Sequence, residues 1–149
     1  MDLPGLRGRQ KRFSNDRGGL SMQKKNPKRI GLAIVGAGRI GLARGEIAAR
    51  YPQVDWIGIA DIDGARAKQV AEQLGADYHT TDYRELLKRP EATAALISTV
   101  GHLHVEPTLA ALENPNKLAL LIEKPIANEL AQSEKVLNLI RSAGNDALI

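Results

Sequence analysis

The sequence predicts a doubly wound α/β domain, a parallel sheet covered by helices on both faces, and two observations carry that reading. From Ile30 onward, short apolar runs rich in β-branched residues alternate with stretches of helical periodicity. The connections between them are short and hold Gly, Pro, Asn and Asp. A chain of 149 residues suits one such domain with a real core and is too short for two ordinary ones.

The elements follow in order. Ile30 to Val35 is an apolar run of the kind that forms a strand buried on both faces. Gly36-Ala37-Gly38 breaks it, and Ile40, Ala43, Ile47 and Ala48 then recur at helical spacing as far as Tyr51-Pro52. Val54 to Ala60 reads as the second strand. Asp63 is a good N-cap for a helix whose Ala67, Val70, Ala71 and Leu74 share one stripe before Gly75 ends it. Ala76 to Tyr78 is a short third strand. Asp82 with Glu85 has the spacing of a capping box and opens a brief helix that ends before Pro90. Ala94 to Ser98 is a fourth strand, followed by a helix that carries Val105, Leu109 and Leu112 and tolerates Pro107 in its first turn. Leu118 to Ile122 is the fifth strand. A last helix runs from about Ala127 to Ala143, and Ala147-Leu148-Ile149 reads as the opening of a sixth strand, cut off there.

Charge divides the chain unevenly. Residues 1–29 hold nine Lys/Arg against Asp2 and Asp16, whereas residues 30–149 hold 12 Lys/Arg against 15 Asp/Glu. The domain is mildly acidic and the basicity belongs to a polar segment without apolar periodicity, read as a poorly ordered tail. This argues against a nucleic-acid partner, whose basic face would sit on the domain itself. No apolar stretch follows Arg9-Gln10-Lys11-Arg12, so an export signal is not expected, and Met22 is a second plausible start. No run approaches the roughly 20 apolar residues of a membrane span, and the expected location is the cytoplasm. Without cysteine there is neither a disulfide nor a thiolate chemistry to consider.

The chemistry is concentrated where strands end. Gly36-Ala37-Gly38-Arg39-Ile40-Gly41 is G-x-G-x-x-G directly after a strand and at the opening of a helix, the context in which it binds a dinucleotide. Gly36 permits the tight turn, Gly38 lets backbone approach a pyrophosphate, and Gly41 lets the helix pack on the strand. The helix N-terminus then meets the phosphates with free N–H groups. Asp61, 20 positions after Gly41, ends the second strand, where a carboxylate accepts from ribose hydroxyls and repels a 2′-phosphate. The expected cofactor is therefore NAD, with NADP kept open by the nearby Arg66. Since Asp63 is better placed to cap the helix, Asp61 is left for the ribose.

Two further motifs, Ser98-Thr99 after the fourth strand and Glu123-Lys124-Pro125 after the fifth, complete a set that resembles the Gfo/Idh/MocA oxidoreductases, the family of glucose–fructose oxidoreductase and inositol dehydrogenase. The resemblance covers about Lys28 to Ile149. It implies that Ser98, Thr99, Glu123 and Lys124 contact the cofactor, along with Gly36, Gly38, Arg39, Ile40, Gly41 and Asp61. It further implies that Lys124 lies near nicotinamide and substrate as a catalytic residue. An ammonium at the carboxyl end of a strand can assist the proton of a substrate hydroxyl during hydride transfer. The implied substrate is a sugar, inositol or similar polyol.

Val100-Gly101 stands where the family usually has Pro and often Asn, which leaves the loop's shape and any role of His102 open. His102 and His104 lack a third ligand at useful spacing and read as loop or capping residues, and His79 has no case; no metal is expected. The resemblance also implies a second domain, carrying a catalytic Asp/His pair and mediating assembly, so the chain reads as the cofactor domain only and any homo-oligomer would form through the missing part. The rival reading is a stand-alone NAD(P)-binding sensor or regulatory module without catalysis.

Overall fold

A computed structural model describes residues 29–143 and 147–148. The segment read as a tail, Met1 to Lys28, lies outside the described residues. The elements are β1 (Ile30–Val35), α1 (Arg39–Arg50), β2 (Val54–Ala60), α2 (Gly64–Leu74), β3 (Tyr78–Thr80) and α3 (Tyr83–Leu87). Then come β4 (Ala94–Ile97), a 3-10 turn (Gly101–Leu103), α4 (Val105–Leu112), β5 (Ala119–Ile122), α5 (Leu130–Ala143) and β6 (Ala147–Leu148). All strand pairs are parallel, in the order β3-β2-β1-β4-β5-β6. The chain thus winds one way through β1, β2 and β3, returns, and winds the other way through β4, β5 and β6. This is the doubly wound Rossmann arrangement expected from the sequence.

Alternation along the strands sorts the core into two layers. Ala33, Val35, Trp56, Ala95, Ile97, Leu120 and Ile122 face α3, α4 and α5, where Leu86, Leu87, Leu109, Leu112 and Val136 meet them. Ile34, Ile57, Ile59 and Leu96 face the other way, against Ala67, Val70, Ala71 and Leu74 of α2. Burial on both faces is why these strands read as unbroken apolar runs. Each fully buried Ile or Leu contributes about 1.5–3 kcal/mol of transfer free energy.

Several boundaries and one cap depart from the sequence expectation. The third strand begins at Tyr78 and not Ala76, because the C-cap of α2 extends past Gly75. Gly75 takes the left-handed conformation at φ 63°, and the Ala76 N–H returns to the Ala71 carbonyl at 2.8 Å. Asp82 caps α3 through the Arg84 N–H at 2.8 Å, but the capping box is not closed. The Asp82 N–H goes to Thr80 Oγ1, and the Glu85 carboxylate accepts instead from the hydroxyls of Tyr78 and Thr80. The last helix opens at Leu130, three residues after Ala127.

Candidate active site

Register brings the motifs together before any side chain acts. Val35 pairs with both Ala60 and Ile97, and Ile97 pairs with Ile122, so β1, β2, β4 and β5 end level. The residue after each of these strands bonds to the last carbonyl of a neighbouring strand, and Asp61 N–H donates in this way to Thr80 of β3 at 3.3 Å. Gly36 N–H donates to Ala60 at 2.8 Å, Ser98 N–H to Val35 at 2.8 Å and Glu123 N–H to Ile97 at 3.0 Å. Gly36, Asp61, Ser98 and Glu123 therefore stand along one rim of the sheet. The strand order reverses between β1 and β4, which makes that rim the place where α/β sheets bind ligands.

A cleft of about 290 Å³ opens there. Gly36, Gly38, Arg39, Ile40, Asp61, Ser98 and Thr99, all predicted from the sequence, line it. Gly41, Glu123 and Lys124 do not.

The three glycines of the turn differ in their reasons. Gly36 sits at φ 102°, and a Cβ there would fall 2.7 Å from backbone atoms of Ser98 and Thr99. A Cβ on Gly41 would fall 2.0 Å from the Gly36 carbonyl oxygen. Both are required by the protein's own packing. Gly38 is not: its φ is −75° and a Cβ would meet no protein atom within 4 Å. It caps α1 without a side chain, so the helix N-terminus opens directly on the cleft.

Asp63 caps α2, accepting from Ala65 and Arg66 N–H groups at 3.1 Å, as expected. Asp61 is relieved of capping but is not free. Its Oδ2 accepts from the Ala37 N–H at 2.8 Å and its Oδ1 from the Asp63 N–H at 2.9 Å, with the side chain 8% exposed. Arg66 approaches Asp61 at 3.8 Å and Asp63 at 3.3 Å. Each Asp61 oxygen keeps one further lone pair for a ribose hydroxyl.

Ser98 has a structural task that the sequence did not reveal. Its hydroxyl is directed at the carbonyls of Gly36, 2.9 Å away, and Val35, 3.2 Å away, which fixes the turn. Thr99 is the reverse case: it lines the cleft, and its Oγ1 is buried with no hydrogen-bond partner in the described structure. Such an orphan is costly unless a ligand satisfies it. The open space at Gly38, the unused lone pairs of Asp61 and the unpartnered Thr99 all fit a dinucleotide.

Val100 of the departing Val100-Gly101 pair also lines the cleft, as do Ile62, Thr81, Tyr83 and Leu103, which were not singled out in the sequence. Only the fold brings the β3–α3 connection and the turn after β4 to this rim, so no local signal marks them. Burial is the main cause that raises the Tyr83 hydroxyl above its ordinary pKa of 10.0.

Lys124 is exposed beyond β5, one strand from Ser98 and Thr99. Glu123 does not face the cleft; its carboxylate pairs with Arg44 of α1. His104 is the other surprise. It is 1% exposed, at the start of α4, and its Nδ1 lies 2.8 Å from the Pro125 carbonyl oxygen. No group of three or more metal-binding side chains occurs among the described residues.

The family model GFO_IDH_MocA, the oxidoreductase family with an NAD-binding Rossmann fold, matches residues 30–148. Oxidoreductase YrbE of Bacillus subtilis is 32% identical over 117 residues, which cover 78% of this chain and 34% of that protein. The scyllo-inositol 2-dehydrogenase (NAD(+)) of Bacillus subtilis is 27% identical over 113 residues, covering 75% of this chain and 32% of that one. Among solved structures, an NAD-binding oxidoreductase from Klebsiella pneumoniae matches with a TM-score of 0.69 and 28% identity, covering 80% of this chain and 33% of the other. The chain spans about a third of the length of these relatives.

Proposed function

Because the chain belongs to the Gfo/Idh/MocA oxidoreductase family as its NAD-binding Rossmann domain, we propose that it is the cofactor domain of a dehydrogenase of sugars, inositols or similar polyols. The observation that carries this reading is Gly38. It is the one glycine of the turn that no contact within the protein requires, at a helix N-terminus that opens on a cleft. A phosphate group explains a missing side chain there.

NAD, when bound, would supply the hydride acceptor at its nicotinamide. The residues of this chain would do the rest. The N–H groups at the start of α1, with Gly36, Gly38, Arg39, Ile40 and Gly41, would hold the pyrophosphate. Asp61 would accept from the adenosine ribose and exclude a 2′-phosphate. Ser98 keeps the turn in shape, Thr99 offers its unpartnered hydroxyl, and Lys124 would contact the cofactor at its nicotinamide end and move the proton of a substrate hydroxyl. In this scheme Glu123 acts through Arg44 and the backbone and does not touch the cofactor. Among the described residues, no helix is long and apolar enough to cross a membrane.

The test is a fluorescence titration of the chain with NADH and NADPH. NADH is expected to bind more tightly, and equal affinities would overturn the role of Asp61. Hydride transfer requires the substrate carbon held at near-attack distance, where about 1 Å of misplacement costs roughly a hundredfold in rate. The chain spans about a third of the length of its relatives, and residues 1–149 alone are expected to bind NAD without turning over inositols or aldoses.

A further inference from the structure

Lys124 lies between two residues that are each held by a distant side chain, one from each face of the sheet. On the α1 side, the Arg44 guanidinium pairs with the Glu123 carboxylate, which is 15% exposed. On the α4 side, the His104 imidazole bonds to the Pro125 carbonyl at 2.8 Å. A carbonyl oxygen only accepts, so the proton of that bond sits on Nδ1. His104 is buried at 1% exposure, with its Nε2 unpartnered in the described structure, and the bond to Pro125 is the one its ring makes. Burying an imidazole with one nitrogen unsatisfied costs free energy, which a mere helix start does not explain.

The turn at Gly101 also lies close to this loop. A Cβ there would lie 3.3 Å from Asn128 Oδ1 and 3.6 Å from Pro125 Cδ, so the turn after β4 sits close against the loop after β5. Val100-Gly101, the departure noted in the sequence, is thus accommodated by contact with the lysine loop.

We propose that His104 and Arg44 are positioning residues, which hold the Pro125 carbonyl and the Glu123 carboxylate on either side of Lys124 and so aim its ammonium at the cofactor. Neither lines the cleft. Both act through Lys124, and the inference rests on the cofactor-contacting role given to Lys124 above. Two anchors on opposite faces resist rotation of the segment in either direction, which one anchor could not.

The decisive measurement is a pair of double-mutant cycles on the whole chain, read as NADH affinity. His104→Leu and Arg44→Ala are each expected to weaken NADH binding about three- to tenfold while Lys124 is present, the scale of a misaimed charged contact. In a Lys124→Ala background both should have little further effect. His104→Asn should restore binding, because its amide nitrogen hangs from Cγ as Nδ1 does, whereas His104→Gln should not. Heteronuclear relaxation at the Lys124 amide should report loosening in the Leu and Ala variants, with the amides of residues 36–41 unchanged. Should His104→Leu fail to fold, the half-exposed Arg44→Ala carries the cycle by itself. Additive losses, or no loss in either variant, would overturn the clamp. If Lys124→Ala alone leaves NADH affinity unchanged, the premise fails and the proposal with it, a result distinguishable from additivity.

Discussion

The glycine turn after β1 and the lysine loop after β5 stand on the same rim, yet they are built by opposite means. The turn is made of backbone: Gly36 and Gly41 contact main-chain atoms so closely that no side chain fits, and Ser98 ties down the carbonyl of Gly36. The loop is held by side chains reaching in from α1 and α4. A phosphate site needs amide dipoles in a fixed array, which backbone supplies with no rotamers to order. A proton-moving ammonium needs to be aimed, and aiming is what adjustable side-chain contacts do. The expected consequence is that damage to the turn appears as lost stability, and damage to the loop as lost binding or rate.

The largest effect should come from Gly41→Ala. With the new methyl group 2.0 Å from the Gly36 oxygen, the helix must move, at a cost of about 1–3 kcal/mol or more. Thermal melting should show it directly, and an unchanged melting temperature would break the comparison at its strongest point.

Asp61→Ala comes next and should fail in both respects. It leaves the N–H groups of Ala37 and Asp63 without their acceptor and removes the ribose partner. The preference for NADH over NADPH should shrink by about 1–3 kcal/mol, the scale of hydrogen bonds to a charged group. Calorimetric titration of both cofactors against parent and variant measures it.

Gly38→Ala sharpens the contrast within the turn. Since its Cβ meets nothing, melting should shift by no more than about 2 °C, while NADH affinity falls about tenfold because the methyl group stands where phosphate would. A large drop in stability would mean that Gly38 serves the fold like its neighbours.

The smallest effect belongs to β3, at the edge of the sheet. The Glu85 carboxylate, held by the Tyr78 and Thr80 hydroxyls, titrates below its ordinary 4.5, and Tyr78, bonded to Glu85, titrates above its ordinary 10.0. A lowered folded-state carboxyl contributes stability above its unfolded value, lost as pH falls through the folded one. A raised phenol contributes below its unfolded value, lost as pH rises through the folded one. Both groups are exposed, so each slope should be shallow. Glu85→Gln should return the Tyr78 phenol toward its ordinary value, as followed by ultraviolet absorbance, with little change in melting at neutral pH.

Much of this was legible in the sequence because it depended on local chemistry. Strand runs, helix stripes, the Asp63 cap and the glycine turn follow from residues a few positions apart. What escaped depended on where the fold sets side chains beside one another. Glu85 fits a capping box by spacing, but β3 sets Tyr78 and Thr80 beside it as better partners. His104 looked like a capping histidine because its acceptor, Pro125, is 21 residues away. Glu123 pairs with Arg44, 79 residues away, a contact that no local spacing announces. The resemblance supplied Lys124, which periodicity and spacing would have left as a surface lysine.

Asp61 carries one more consequence. Two amide N–H groups hold its carboxylate before any nucleotide arrives, so its rotamer freedom is already lost on folding. Ordering a free side chain at the moment of binding costs about 0.5–1.5 kcal/mol, and here that burden falls on the folding step instead. Immobility also denies a competitor the easy escape. A mobile carboxylate could swing aside for a phosphorylated ribose, whereas a carboxylate pinned from two sides keeps its charge in the path. On the proposed reading of Asp61, selectivity at this position would be a mechanical property of the turn as much as an electrostatic one.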